Sequence, residues 1–167
     1  MKRKITLFTG LFSLLLISSL LVSFNPGPTK VSYKCMIQLT NYNGHGAYVV
    51  VSLLDKDGKY VETLYVQGDD EEWYHDIPEW WSFYEKDQSD IDAITGATVG
   101  GGQRTIQIIQ LPADKINAGY QLRFETAVED QKYYADDLQF ELTTENLKTK
   151  KEGKGYIRYV RMIPASS

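Results

Sequence analysis

One cysteine and two histidines are all the thiol and imidazole side chains in this 167-residue chain. A lone Cys35 excludes an internal disulfide, so the fold must be held by its core alone, and the simplest role for the thiol is that of a small buried hydrophobe. His45 and His75 stand on unlike segments, and neither has a neighbour at metal-ligand spacing, which argues against a zinc site. Serine-nucleophile motifs, phosphate loops and paired carboxylates are missing too, so no catalytic residue is assigned. Asp55, Asp57 and Gly58 begin like a calcium loop but lack its later acidic ligands. Basic charge is also short: without Lys2, Arg3 and Lys4, 15 basic residues face 22 acidic ones, a formal charge of −7. Nucleic acid is a poor partner for such a surface. The one basic stretch, "KTKKEGKGYIRYVR", reads as a solvated hairpin leading into a charged edge strand.

Only one long apolar run occurs, from Ile5 to Phe24. It follows Lys2, Arg3 and Lys4 and ends at Asn25, Pro26, Gly27 and Pro28, the pattern of an export signal. Its length is near the roughly 20 residues that span a bilayer, and no clear small-x-small cleavage site follows. Residues 1–30 are therefore a cleaved signal peptide or a retained N-terminal membrane anchor, and the protein is expected in the periplasm or another extracytoplasmic space. The residues before Cys35, Val31-Ser32-Tyr33-Lys34, lack the small apolar character of a lipoprotein signal. Residues 31–167, roughly 140 in number, suffice for one domain with a real core.

Within that domain the hydrophobic period is two. "CMIQLT", "AYVVVSLLD", "YVETLYV", "RTIQIIQL", "YQLRFETAV", "DLQFELT" and "YIRYVRMI" are short β-branched and aromatic runs bounded by turn formers. Seven such runs predict a mainly β protein, an immunoglobulin-like antiparallel β-sandwich. Asp57-Gly58 between two apolar runs is expected to supply the positive φ angles of a tight hairpin turn. Tyr120, Leu122, Phe124 and Thr126 are expected on one strand face.

One segment breaks this rhythm, "DDEEWYHDIPEWWSFYEKDQSD", residues 69–90, which holds all three tryptophans. Asp76 can cap one short aromatic-rich helix between about residues 74 and 86, with Pro78 in its first turn. Trp80, Trp81 and Tyr84 then lie within a turn of one another, either as core or as a stacking surface for a planar ring.

"DAITGAT", residues 92–98, places Thr98 behind two very small residues, where another enzyme could reach its hydroxyl. The following "VGGGQR" could offer backbone N–H groups and Arg104 to a phosphate, although a flexible connection explains it equally well. Asp92, Thr95, Gly96, Ala97 and Thr98 together resemble the acceptor motif of extracytoplasmic FMN-binding proteins. In that family a flavin transferase joins the FMN part of FAD, with magnesium, to the hydroxyl of the last threonine. The resemblance implies covalent FMN on Thr98, with Asp92, Thr95, Gly96 and Ala97 as recognition positions.

Over more of the chain, "DKDGKY", "EWW", "DAITGAT" and "AGYQLRFETA" are similar to a family of predicted periplasmic proteins that is itself a domain of unknown function. The likeness implies an immunoglobulin-type module whose relatives occur near flavin transferases and membrane redox proteins. Two readings follow. The first is an exported redox carrier with FMN on Thr98, its ring near Trp80, Trp81 or Tyr84. The second is a periplasmic interaction module without cofactor, in which Asp92 and Thr95 build a turn and the tryptophans are plain core.

Overall fold

The computed structural model describes residues 29–87, 91 and 94–165. The expected export segment lies outside these residues, and so do Asp92 and Ala93. Each of the seven alternating runs forms a strand: β1 Lys30–Leu39, β2 Tyr48–Leu54, β3 Tyr60–Gln67, β5 Arg104–Pro112, β6 Gln121–Ala127, β7 Tyr134–Glu141 and β8 Ile157–Pro164. An eighth, β4, is only Thr95–Gly96 and falls inside the motif. The strands make a three-stranded sheet, β5-β1-β8, and a five-stranded sheet, β4-β3-β2-β6-β7. Every neighbouring pair is antiparallel except β3 and β4, which run parallel.

Alternation decides what lies between the sheets. Cys35, Ile37 and Leu39 of β1, with Ile109, Leu111, Val160 and Met162, meet Val49, Val51, Leu53, Leu122, Phe124 and Leu138 from the other sheet. Full burial of each such aliphatic side chain contributes about 1.5–3 kcal/mol, so this layer supplies most of the driving force. The Cys35 thiol is fully buried there, and desolvation pushes its pKa far up. It is inert toward oxidants and electrophiles in the folded state.

The β2–β3 turn departs from the expected tight pair. Only Gly58 takes a positive φ, +80°. The Asp55 carboxylate instead accepts the N–H groups of Asp57 and Lys59, each at 2.9 Å, and holds a longer loop closed.

The basic stretch folds back on itself, as expected of a hairpin, but only through a single antiparallel bridge between Lys151 and Val160. Thr143 accepts the Asn146 N–H at 3.1 Å and caps a short helix, α2, Thr144–Lys148. The chain then winds over the buried Asp137, whose carboxylate accepts the Thr126 hydroxyl at 2.6 Å and the N–H groups of Lys154, Gly155 and Ile157. The edge-strand half of the expectation is met by β8, which flanks β1 and exposes Arg158 and Arg161.

Residues 71–87 form a lid on the outer face of the five-stranded sheet. A 3-10 turn, Glu71–Asp76, is capped by Asp70, and α1, Pro78–Asp87, follows Ile77. Asp76 therefore ends the first turn and does not cap the second, because α1 begins at Pro78 and leaves Ile77, not Asp76, at the position before it. Tyr74, Ile77 and Trp80 descend onto Tyr48, Val50, Val66 and Ala127, giving the molecule a second core.

Candidate functional site

Ile91 and Ile94 anchor the motif segment in this second core. Between them lie Asp92 and Ala93, outside the described residues. Thr95 and Gly96 then pair with Val66 and Gln67 at the end of β3, and the Gly68 N–H donates to the Gly96 carbonyl at 2.5 Å. A Cβ at Gly96 would stand 2.9 Å from the Tyr65 phenol oxygen. The missing side chain is thus required by the layer beneath the strand, a reason that access from outside does not supply. Near β4 the Tyr65 hydroxyl and both polar atoms of the Gln67 amide are buried without a hydrogen-bond partner among the described residues.

Ala97 is exposed and Thr98 half-buried. The Thr98 side chain lies against the α-carbon of Gly46, where any Cβ would collide with its Oγ1. Among the described residues no hydrogen-bond partner faces that hydroxyl. Val99 is fixed on the far side: its carbonyl accepts the Ala47 N–H at 2.8 Å and the Tyr42 hydroxyl at 2.9 Å. Ala97 and Thr98 therefore form a two-residue span between two pinned points at the end of β2 and β3.

The remaining sequence candidates do not gather around Thr98 in one arrangement. Trp80 is fully buried, donates its indole N–H to Thr63 Oγ1 at 3.0 Å, and is stacked on Tyr84 with centroids 5.0 Å apart. Tyr74 meets it edge-on at 5.1 Å, so no face is left for a ligand. Trp81 is half-buried and tilted against Tyr84. Arg104 lies flat across the three-stranded sheet, with Nε donating to Gln38 Oε1 at 3.0 Å and Nη2 to the Tyr159 hydroxyl at 3.1 Å. In the glycine run, the Gly100 N–H donates to Gln103 Oε1 and the Gly102 N–H to the Thr40 carbonyl. Gly102 has φ +75°, and the Gly101 α-carbon abuts the Tyr42 backbone. These glycines shape a tight crossing between the sheets, and two of their three amides are already engaged.

A cluster that periodicity did not single out lies beneath the lid. Glu125 on β6 is fully buried, and its two carboxylate oxygens accept the Tyr60 and Tyr133 hydroxyls, each at 2.5 Å. Burial pushes its pKa up to about 7, against the lowering effect of both phenols and of Arg123. Arg123 Nη1 bridges to the Tyr60 hydroxyl at 3.2 Å and to Glu79 of α1 at 2.7 Å, tying lid to sheet. Tyr60 borders an open groove of ≈ 850 Å³ beside Phe83 and Lys86, Tyr133 borders another of ≈ 540 Å³ beside Trp73, and Pro78 edges both. The arrangement can store a proton near neutral pH and couple it to the seat of α1. The sequence signal for it was Arg123 and Glu125 alternating with Phe124 on a strand, ordinarily the mark of a solvated face.

Among the described residues no group of three or more His, Cys, Asp or Glu side chains could hold a metal ion. Nor is any described helix long and apolar enough to cross a membrane. Neither a curated protein nor a solved structure is detectably similar to the chain. The model of one family, DUF2271, described as a predicted periplasmic protein, matches residues 30–159. That match runs from the first residue of β1 into β8, nearly the whole sandwich, and the chain accordingly belongs to the DUF2271 family of predicted periplasmic proteins.

Proposed function

We propose that this protein is an exported redox carrier that receives FMN in phosphoester linkage on Thr98 from a flavin transferase. One observation carries the reading. The last threonine of the Asp92, Thr95, Gly96, Ala97, Thr98 pattern stands half-exposed behind exposed Ala97, its hydroxyl without a partner among the described residues. In the modification, Thr98 Oγ1 attacks the FMN phosphorus of FAD, the bond from that phosphorus to the AMP phosphate breaks, and the hydroxyl proton is released. The product is the Thr98 phosphoester plus AMP, with no change of oxidation state. Bound FMN would supply reversible electron transfer, with membrane redox proteins as partners. Trp81 is the member of the expected stacking pair left partly open, whereas Trp80 serves the core.

A second reading, an interaction module without cofactor, is favoured by the packing of Thr98 on Gly46 and by the full burial of Trp80. Coexpression with a flavin transferase separates the two. The carrier gains the mass of one FMN less one water and runs as a fluorescent band on denaturing gels, Thr98→Ala abolishes both, and peptide mass analysis places the adduct on residue 98. A chain that stays unmodified while a control acceptor is labelled by the same enzyme is the module.

A further inference from the structure

Among the described residues nothing covers the outer face of β5-β1-β8, and its composition is unlike that of the lid side. Register sets Ile106, Met36 and Arg161 in one row, Ile108, Lys34 and Ile163 in the next, and Arg104, Gln38 and Tyr159 in a third. Ile106, Ile108 and Ile163 are 56%, 51% and 46% exposed. No acidic residue stands in these rows, and among the described residues Lys34, Arg104 and Arg161 pair with no carboxylate. Exposed acids gather instead at Asp69, Asp70, Glu71 and Glu72, on the lid beyond the other sheet. A domain of net negative charge thus shows a flat cationic face studded with isoleucines.

We propose that this face docks on an anionic phospholipid surface. A second copy of the chain fits it poorly. A two-fold contact would set Lys34, Arg104 and Arg161 against the same cations of the other copy, with no acidic residue in these rows to relieve the repulsion. A lipid surface needs no matching relief: isoleucines enter the headgroup boundary while guanidinium and ammonium groups meet phosphates. The chain outside the described residues points the same way. Retained in a bilayer, the apolar run Ile5–Phe24 would leave residues 25–29 as the only link to β1, a reach of no more than about 18 Å. The face that carries β1 would then be the one held close to the surface.

The experiment uses the full chain with Gln110→Cys, an exposed position in the row beyond Ile108, labelled with a polarity-sensitive dye. Buried Cys35 does not compete for the label. The chain is reconstituted into vesicles of phosphatidylcholine alone or of an equal mixture with phosphatidylglycerol. Docking shifts the emission to the blue only on the mixed vesicles, and high salt reverses it. Lys34→Glu with Arg161→Glu lowers the docking equilibrium by several hundredfold, since each unit of charge near such a surface is worth about fivefold and the pair changes four units. Lys34→Gln with Arg161→Gln, with its melting temperature compared to wild type, guards against misfolding of the reversed pair and lowers docking by a smaller factor. Equal emission on both vesicle types, or a shift that survives charge reversal, overturns the proposal. A dye that ignores phosphatidylglycerol but responds to soluble polyglutamate overturns it in favour of an acidic protein partner.

Discussion

The two sheets of this sandwich treat their outer faces in opposite ways. The five-stranded sheet lies under the lid and carries a second core of Tyr48, Val50, Val66, Tyr74, Ile77 and Trp80, while the three-stranded sheet stands open with isoleucines in solvent. Covering a face changes the chemistry of what it holds. Under the lid, a charged strand pattern has become a sequestered carboxyl with two phenols and a raised pKa. On the open sheet, the same kind of pattern stays in solvent, with Arg104, Ile106, Ile108, Arg161 and Ile163 exposed. A strand's sequence states which residues point outward; the rest of the chain decides whether outward means water.

The largest break in this contrast should come from Trp80→Ala. Removing the fully buried indole opens a cavity and orphans the Thr63 hydroxyl, at a cost of roughly 3–5 kcal/mol in chemical denaturation. Trp81→Ala, half-buried, should cost clearly less. Equal losses at the two positions would mean that the lid is not a core.

Next is the pH dependence of Glu125. Its folded pKa of about 7 lies above the ordinary 4.5, so the folded state binds the proton more tightly than the unfolded one. The stabilisation is complete below about 4.5 and is lost as pH rises through about 7, a total of about 3 kcal/mol. Glu125→Gln should flatten the slope of stability against pH between these limits, as measured by urea midpoints in a pH series. A slope unchanged in the variant would assign it to other groups.

Gly96→Ala probes the motif from below. Its new Cβ meets the Tyr65 hydroxyl and should cost about 1–2 kcal/mol, with most of the loss recovered in the double variant with Tyr65→Phe. A purely additive double variant would show that the clash lies elsewhere. Smallest of all is Ile106→Ser on the bare sheet, which should shift stability by no more than about 0.5 kcal/mol. A loss like that of Trp80→Ala would reveal an unseen cover on that face.

Much of the sandwich was legible because alternation over six to nine residues is a strong local signal, and all seven alternating runs became strands. β4 was not legible: two residues carry no period, and their pairing is decided by Ile91 and Ile94 settling into the second core. α2 escaped for a similar reason, since five residues hold barely more than one turn and only the Thr143 cap announces them. Among the candidate site residues, Thr98 was placed by motif, yet the packing that makes Gly96 and Gly46 necessary is contributed by Tyr65 and by Thr98 itself. The Glu125 cluster was hidden because Tyr60, Arg123, Glu125 and Tyr133 come from separate stretches of chain that meet only in the folded sheet, where Arg123 also reaches Glu79 of the lid.

The pairing of β1 with β8 has a consequence for how the molecule is born. The first strand of the domain lies between β5 and the last strand, so the three-stranded sheet cannot be completed until residues near 164 have been synthesised. Until then β1 has one edge unpaired and the core lacks Ile157, Val160 and Met162, so the growing polypeptide has no closed native form to fall into. Such end-to-end pairing makes folding slow and late. In a family described as predicted periplasmic proteins, such lateness suits a chain that has to be threaded across a membrane before it folds.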